Sequence, residues 1–249
     1  MNLQYMVEDN WSKAAEGYSG IVQRELHSFK KDAWTELILK NAPDKKKLKV
    51  LDIGTGPGFF AVILSLAGHD VTAVDCTEEM IVQAQKNAEE SGVKPHFYVM
   101  DSHDLDFEYE SFDLIVSRNV TWTLRSAEAA YREWKRLLRK DGRILIFDAN
   151  WNLYFYNEEY RINHEKDKKD YIAKYGEAAC IDNHPDNGDG FRKAMPMNKR
   201  LRPQWDFDTL IKIGFTKIYC EIDVTEKVWD EHEKLKYRST PMFMLSIGK

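Results

Sequence analysis

Residues 49–58 read Lys-Val-Leu-Asp-Ile-Gly-Thr-Gly-Pro-Gly, and this stretch decides the fold. An apolar run is followed by Gly54, Gly56 and Gly58, and then by an apolar helical stretch over residues 59–67. A strand, a tight glycine turn and a helix N-terminus in this order bring backbone amides close to a nucleotide-like ligand. Glycine fits here because a side chain would obstruct the close approach and because such turns often need a positive φ.

The spacing of the glycines separates two kinds of nucleotide-binding turn. A dinucleotide fingerprint, Gly-x-Gly-x-x-Gly, needs glycine or alanine at position 59, where this chain has Phe59. The pattern Asp52-x-Gly54-x-Gly56-x-Gly58 instead resembles motif I of the class I S-adenosylmethionine-dependent methyltransferases. The resemblance implies a methyltransferase with S-adenosyl-L-methionine as its cofactor. It covers residues 10–150 well and the C-terminal strands loosely, and it does not cover the insertion at residues 149–204.

Length and composition limit the other possibilities. A chain of 249 residues suits one α/β domain with an insertion, and 43% hydrophobic with 31% charged residues is typical of a folded globular protein. The net charge of −5 argues against nucleic acid as a partner. No apolar run approaches the roughly 18 residues of a membrane span. Three widely spaced cysteines show no disulfide framework, so we expect a cytoplasmic protein.

Short apolar runs alternate with helical patterns along the chain, which predicts a doubly wound, mostly parallel sheet with helices on both faces. The resemblance implies seven strands, the last of them antiparallel. A turn at Asp141-Gly142 is expected to lead into the fifth strand. The predicted strands are residues 48–53, 70–74, 96–100, 112–117, 143–147, 215–222 and 242–247.

We expect one methyltransferase domain over residues 1–249 with two additions. Residues 1–40 form an N-terminal helical cap, in which Asn10 caps a short helix. Residues 149–204 are too long for an ordinary connection. They begin with aromatic side chains and continue with charge, glycine and proline, and we predict that they form an inserted lid over the substrate site.

The cofactor residues follow from the strand ends and from the resemblance. Asp75 ends the second strand 17 residues after Gly58, where a carboxylate can accept hydrogen bonds from both ribose hydroxyls. The resemblance implies that Asp101 contacts the adenine amino group, that the amide of Ser102 faces the adenine ring and that Asp52 positions the glycine loop. The predicted cofactor-binding residues are Tyr18, Asp52, Gly54, Thr55, Gly56, Gly58, Asp75, Cys76, Met80, Asp101, Ser102, His103, Ser117 and Arg118.

The acceptor pocket is expected at the carboxyl ends of the fourth and fifth strands. Methyl transfer from a sulfonium is an in-line displacement, so the protein mainly aligns the reactants and excludes water. A general base is needed only if the acceptor arrives protonated. We predict Asp148 and Asn119 as catalytic residues, and Trp122, Asn150 and Trp151 as substrate-binding residues.

A small-molecule methyl acceptor is the leading hypothesis, because the chain is acidic, lacks a Pro-Pro motif after the fourth strand and carries the aromatic insertion. A methyltransferase of protein or RNA, docked through the insertion and basic clusters, is the alternative. A non-catalytic S-adenosylmethionine-binding protein is the third possibility. No metal site is predicted, since His164, Cys180 and His184 match no zinc spacing. The oligomeric state and the target atom stay open.

Overall fold

The computed structural model describes residues 2–177 and 189–249, which form an α/β fold around one sheet. Its strands are β1 (Lys49–Ile53), β2 (Asp70–Asp75), β3 (His96–Val99), β4 (Phe112–Arg118), β5 (Leu138–Asp148), β6 (Lys217–Glu221) and β7 (Phe243–Gly248). The spatial order is β3-β2-β1-β4-β5-β7-β6, and β7 runs antiparallel to both of its neighbours. The predicted seven-stranded, mostly parallel sheet is confirmed.

Helices cover both faces of this sheet. They are α1 (Leu3–Leu26), α2 (Lys30–Asn41), α3 (Phe59–Leu66), α4 (Glu78–Glu90), α5 (Ala127–Leu137), α6 (Glu158–Tyr175), α7 (Asp189–Ala194), α8 (Gln204–Ile213), α9 (Thr225–Val228) and α10 (Glu231–Lys236). One apolar cluster includes Trp34 and Phe60, and a second, on the other face, includes Trp134 and Leu210. The central strands are therefore buried on both sides, as continuous apolar runs indicate.

The N-terminal helix is longer than predicted, and the prediction that Asn10 caps it is wrong. Helix α1 has 24 residues, and its N-cap is Asn2, whose side chain accepts a hydrogen bond from the Gln4 amide at 3.0 Å. Asn10 lies inside the helix and is buried. Val7 and Ala14 are buried on the same helix, so packing of the apolar face continues on both sides of Asn10 and outweighs its preference for a cap.

The predicted turn at Asp141-Gly142 is also wrong. Strand β5 begins at Leu138, where α5 ends, and runs through both residues. Its register against β4 changes between the pairs Phe112–Leu138 and Leu114–Arg143, so the extra residues of β5 form an irregularity in the ladder. Turn-type composition inside a strand here marks a bulge.

The described part of the predicted insertion, residues 149–177 and 189–204, is mainly helical. It contains α6, α7 and the start of α8, with short 3-10 turns at Leu153–Phe155 and Pro196–Lys199. No helix within residues 2–177 and 189–249 has the length and apolarity needed to cross a membrane.

Candidate active site

The glycine loop after β1 requires its glycines for two different reasons. Gly54 has φ +67°, and a Cβ there would lie 2.3 Å from the Val120 side chain. Gly56 has φ +52° and borders a cavity, where the nearest atom to an added Cβ is the Met80 sulfur at 4.0 Å. Gly54 therefore permits close packing after β4, whereas Gly56 permits the left-handed backbone of the turn.

The amides of this loop are already bonded within the protein. Gly54 and Thr55 donate their N–H groups to the Val74 carbonyl at 2.8 and 3.0 Å. Gly56 donates to the Asp75 carboxylate at 2.9 Å, and the following proline has no N–H. The loop consequently presents no row of unbonded amides to a pyrophosphate, in agreement with the absence of the dinucleotide fingerprint.

Asp52 joins the loop to the helix that follows it. Its carboxylate accepts the Thr55 hydroxyl at 2.6 Å, and the backbone N–H of Ala61 in α3 lies close enough to lower the pKa of Asp52. Burial raises the pKa of Asp52 to about 7, although these hydrogen bonds oppose the shift. The Asp52 side chain thus lies at the floor of the site, buried from solvent, and has a raised pKa.

An inner cavity lies at the carboxyl ends of β1, β2 and β4. It brings together most of the predicted cofactor residues, which come from five separate stretches of the chain. The predicted residues that line it are Tyr18, Asp52, Gly54, Thr55, Gly56, Asp75, Cys76, Met80, Ser102, His103, Arg118 and Asn119.

Three predicted cofactor residues lie behind the wall of the inner cavity instead. Gly58 is the N-cap residue of α3, and an added Cβ there would lie 3.0 Å from Ala84. Ser117 is fully buried and donates its hydroxyl to the Ile53 carbonyl at 3.1 Å. Asp101, discussed below, does not line the cavity either. These positions support the cavity rather than face it.

Asp75 presents a carboxylate to the inner cavity. One oxygen accepts the Gly56 amide, and the other accepts the Thr77 amide and hydroxyl, both at 3.1 Å. Burial raises the pKa of Asp75, and these donors oppose the shift. An ionised carboxylate has about four acceptor positions, so capacity remains for a ligand hydroxyl.

Asp101 is committed to neighbouring side chains. It lies 2.6 Å from His103 Nδ1 and 2.6 Å from the Arg125 guanidinium. Burial acts to raise the pKa of Asp101, but the hydrogen bonds from His103 and Arg125 hold it well below its usual range. Ser102 and His103 do line the inner cavity, so the adenine contact predicted for Asp101 has no support in this geometry.

An outer cavity of about 850 Å³ adjoins the inner one. Its walls are rich in aromatic side chains, among them the predicted substrate residues Trp122 and Trp151. The Trp122 ring centroid lies 6.1 Å from that of Trp11, and the Trp151 centroid lies 6.1 Å from that of Trp229. A flat apolar molecule would fit against such walls.

The two cavities share a common wall. Trp11, Tyr18, Arg118 and Asn119 line both. Asn119 has φ +60°, and its buried Oδ1 atom has no hydrogen-bond partner among the described residues. An unsatisfied buried acceptor on strained backbone is a feature that functional sites tolerate when a ligand supplies the missing donor.

Arg118 is held by an acidic partner that the sequence did not reveal. Its guanidinium contacts both oxygens of Glu25 at 2.8 and 3.2 Å, and its centre lies 4.6 Å from the Phe59 ring centroid. Burial acts to lower the pKa of Arg118, but the Glu25 charge raises it overall. Lys30 adds a second cation 3.6 Å from Glu25. Arg118 therefore lines the site with its positive charge balanced by Glu25.

The predictions that Asp148 is catalytic and that Asn150 binds the substrate are wrong, because neither residue lines either cavity. Asp148 is fully buried and accepts the Trp122 amide at 3.0 Å, the Trp151 indole N–H at 2.8 Å and the Arg202 guanidinium at 2.9 Å. Asn150 bonds both polar groups of the Arg202 backbone. Asp148 thus positions two tryptophans of the outer wall and has no free face for catalysis.

The described residues contain no group of three or more His, Cys, Asp or Glu side chains that could hold a metal ion. Cys180 and His184, which the zinc hypothesis would need, lie outside the described residues.

Comparison with known proteins agrees with this geometry. Residues 51–146 match the family described as methyltransferase domain. The chain is 34% identical over 142 residues to the uncharacterized methyltransferase YcgJ of Bacillus subtilis, an alignment that covers 57% of this chain and 54% of YcgJ. The matched segment contains the glycine loop, β2 and β4, and its sequence is similar to that of methyltransferase domains.

Two further similarities bear on the size and fold of this chain. It is 30% identical over 140 residues to the ubiquinone biosynthesis O-methyltransferase of Rickettsia felis, which covers 56% of each chain. The chain thus spans about half the length of these curated relatives. A crystal structure of a Methanococcus maripaludis protein, named provisionally as an S-adenosyl-L-methionine-dependent methyltransferase, aligns with a TM-score of 0.62. That alignment covers 96% of this chain and 93% of the other at 20% identity, which shows a shared fold.

Proposed function

We propose that this protein is an S-adenosylmethionine-dependent methyltransferase that acts on a small-molecule acceptor by in-line displacement. The cofactor binds in the inner cavity and the acceptor in the outer one. The observation that carries the proposal is the wall that the two cavities share at Trp11, Tyr18, Arg118 and Asn119. A cofactor in the inner cavity and an acceptor in the outer cavity would both contact these four residues, so the methyl group would lie next to the acceptor atom.

The residues around the inner cavity fit S-adenosylmethionine. Asp75 retains an acceptor position for a ribose hydroxyl, Gly56 has no side chain to fill the cavity beside the turn, and Met80 and Cys76 contribute apolar wall. The cofactor supplies a methyl group activated on a sulfonium, and the chain supplies the alignment. Holding reactants in position can lower a barrier by roughly 7–11 kcal/mol.

Asn119 orients the acceptor in this proposal. Its unpartnered Oδ1 can accept a hydrogen bond only from a group that carries hydrogen, such as a hydroxyl or an amine. Asp148 has no catalytic role in this proposal, because its oxygens bind Trp122, Trp151 and Arg202. The described parts of the insertion, residues 149–177 and 189–204, cover the outer cavity in this proposal, and Trp151, Tyr154 and Phe191 line it. A cytoplasmic site of action is part of the proposal and rests on the few, scattered cysteines.

The experiment is incubation with methyl-labelled S-adenosylmethionine and cell extract, followed by separation of metabolites from protein and nucleic acid. Label in a metabolite supports the proposal and allows the acceptor to be isolated. Label confined to protein or RNA contradicts the small-molecule acceptor. Cofactor binding without label in any fraction contradicts methyl transfer and favours a non-catalytic binding protein.

A further inference from the structure

We propose that the acceptor carries an anionic group, a carboxylate, sulfonate or phosphate, which binds at a cationic corner of the outer cavity. The corner is formed by His164, Lys168 and Arg192. The inference rests on the proposed function, because it assigns the outer cavity to the acceptor.

The first observation is that the acids of the outer cavity are already engaged. Four acidic residues line its described part: Glu25, Asp189, Asp230 and Glu233. Glu25 holds Arg118 at 2.8 Å, Glu233 holds Lys30 at 2.6 Å, and Asp189 holds Lys193 at 3.1 Å.

The fourth acid, Asp230, caps helix α10 through the amides of His232 and Glu233. Asp230 also lies 3.8 Å from Lys30 Nζ, so each of the four acids of the described part of the cavity has a cation beside it.

The second observation is an excess of positive charge in a chain that is negative overall. Six basic residues line the same described part: Arg24, Lys30, Arg118, Lys168, Arg192 and Lys236. The chain as a whole carries a net charge of −5. Lys168 forms no ion pair with any residue in the ranges 2–177 and 189–249, so its charge is available to a ligand.

The third observation is that the three residues of the corner converge. Lys168 lies one helical turn after His164 on α6, and the His164 ring stacks on Tyr154 with centroids 4.1 Å apart. His164, Lys168 and Arg192 line the same cavity. Burial lowers the pKa of His164, and the charges of Lys168 and Arg192 lower it further, against the opposing charges of Asp167 and Glu165. Arg192 reaches the corner from α7.

The rest of the cavity fits a flat body between the corner and the shared wall. Trp122 and Phe191 pack edge to face with centroids 5.9 Å apart. Trp34 also lines the cavity, and its buried Nε1 has no hydrogen-bond partner among the described residues. An acceptor with a hydroxyl or amine at one end, an apolar ring and an acid at the other end would satisfy these groups together.

Two fluorescent probes with the same ring system test the charge directly. 8-Anilinonaphthalene-1-sulfonate carries a sulfonate, and N-phenyl-1-naphthylamine lacks it. Each is titrated into the protein with saturating S-adenosylhomocysteine, which keeps the probes out of the inner cavity. Wild type is compared with Lys168→Ala and Lys168→Glu. Lys169→Ala is the matched control, since Lys169 is exposed on the same helix and does not line the cavity.

We expect wild type to bind the sulfonate more tightly than the neutral probe. Lys168→Ala should weaken sulfonate binding about three- to ten-fold, Lys168→Glu should weaken it more, and neither should change the neutral probe. Lys169→Ala should alter neither dissociation constant. Equal affinity for both probes, or equal effects of the variants at positions 168 and 169, would overturn the inference.

The outcome is separable from that of the proposed function. Probe binding requires no methyl transfer, and binding of S-adenosylhomocysteine is measured in the same titrations. Absence of label transfer together with selective sulfonate binding would reject the activity and retain the anion site. Label transfer together with equal affinity for the two probes would retain the activity and reject the anion site.

Discussion

The inner and outer cavities differ in how the chain builds them. The inner cavity is organised around the glycine loop: the amides of residues 54–56 bind a β2 carbonyl and Asp75, and Asp52 accepts the Thr55 hydroxyl. The outer cavity is made by side chains from α1, α2, the segment after β5 and the helices before β7. A short motif therefore fixes the glycine loop of the inner cavity, whereas the outer cavity has no comparable local motif and is free to change its ligand.

The largest expected effect concerns the support of the outer wall. Arg202 is buried and contacts Asp148 at 2.9 Å and Asp206 at 2.8 Å. Arg202→Met leaves two buried carboxylates without their cation, which should lower the free energy of unfolding by about 3–5 kcal/mol. Urea denaturation measures the change.

Arg200→Met is the matched control, because Arg200 is exposed two residues away and should change stability by less than about 0.5 kcal/mol. Similar losses for the two variants would mean that the buried network does not support the wall. If Arg202→Met is folded at low temperature, it should retain cofactor affinity, since Arg202 lines neither cavity.

The next effect concerns the floor of the inner cavity and depends on pH. Burial raises the pKa of Asp52 to about 7, whereas an unfolded aspartate has a pKa near 3.9. Between these values the folded state binds more protons than the unfolded state. The Asp52 contribution to stability is therefore greatest below about pH 4 and is lost as the pH rises through 7.

Asp52→Asn removes this titration, so its stability relative to wild type should improve by about 1–3 kcal/mol between pH 4 and pH 8. Chemical denaturation at several pH values measures the difference. A wild-type-minus-variant difference that does not vary with pH would show that Asp52 is ionised throughout.

These two predictions also mark what the sequence could reveal. Asp52 and the glycines lie in one local pattern, so their placement was predictable from spacing. Asp148 was misread because its partners Trp122 and Arg202 come from stretches 26 and 54 residues away in the chain. A polar residue at a strand end has the same sequence appearance whether it faces a ligand or a buried arginine.

The sequence predicts only some residues of the outer cavity, because the others come from distant stretches of the chain. Trp122 and Trp151 follow the strands that predict an acceptor site, and both line the cavity. Trp229 and Tyr237 lie between the last two strands, and Glu25 lies at the end of a helix predicted as short. Only the tertiary packing places these three beside the predicted pair.

A smaller effect tests the shared wall. Asn119→Gly removes the unpartnered Oδ1 while keeping a residue that tolerates φ +60°. Loss of one orienting hydrogen bond should lower kcat/KM for the acceptor about ten-fold, with less than about a two-fold change in cofactor affinity. Steady-state kinetics and calorimetry measure the two quantities.

Asn119→Asp is the informative partner to that variant, since it retains Oδ1 and should preserve more activity than Asn119→Gly. Full activity in both variants would remove Asn119 from the proposed mechanism.

The central claim is that the inner cavity holds the cofactor and the outer cavity does not. Calorimetric titration of Asp75→Ala and Trp122→Ala with S-adenosylmethionine tests it directly, because Asp75 lines the inner cavity and Trp122 the outer one. We expect Asp75→Ala to weaken binding by about 2 kcal/mol, roughly thirty-fold, and Trp122→Ala to change it less than about two-fold. Unchanged binding in Asp75→Ala, or a larger loss in Trp122→Ala, would contradict the account.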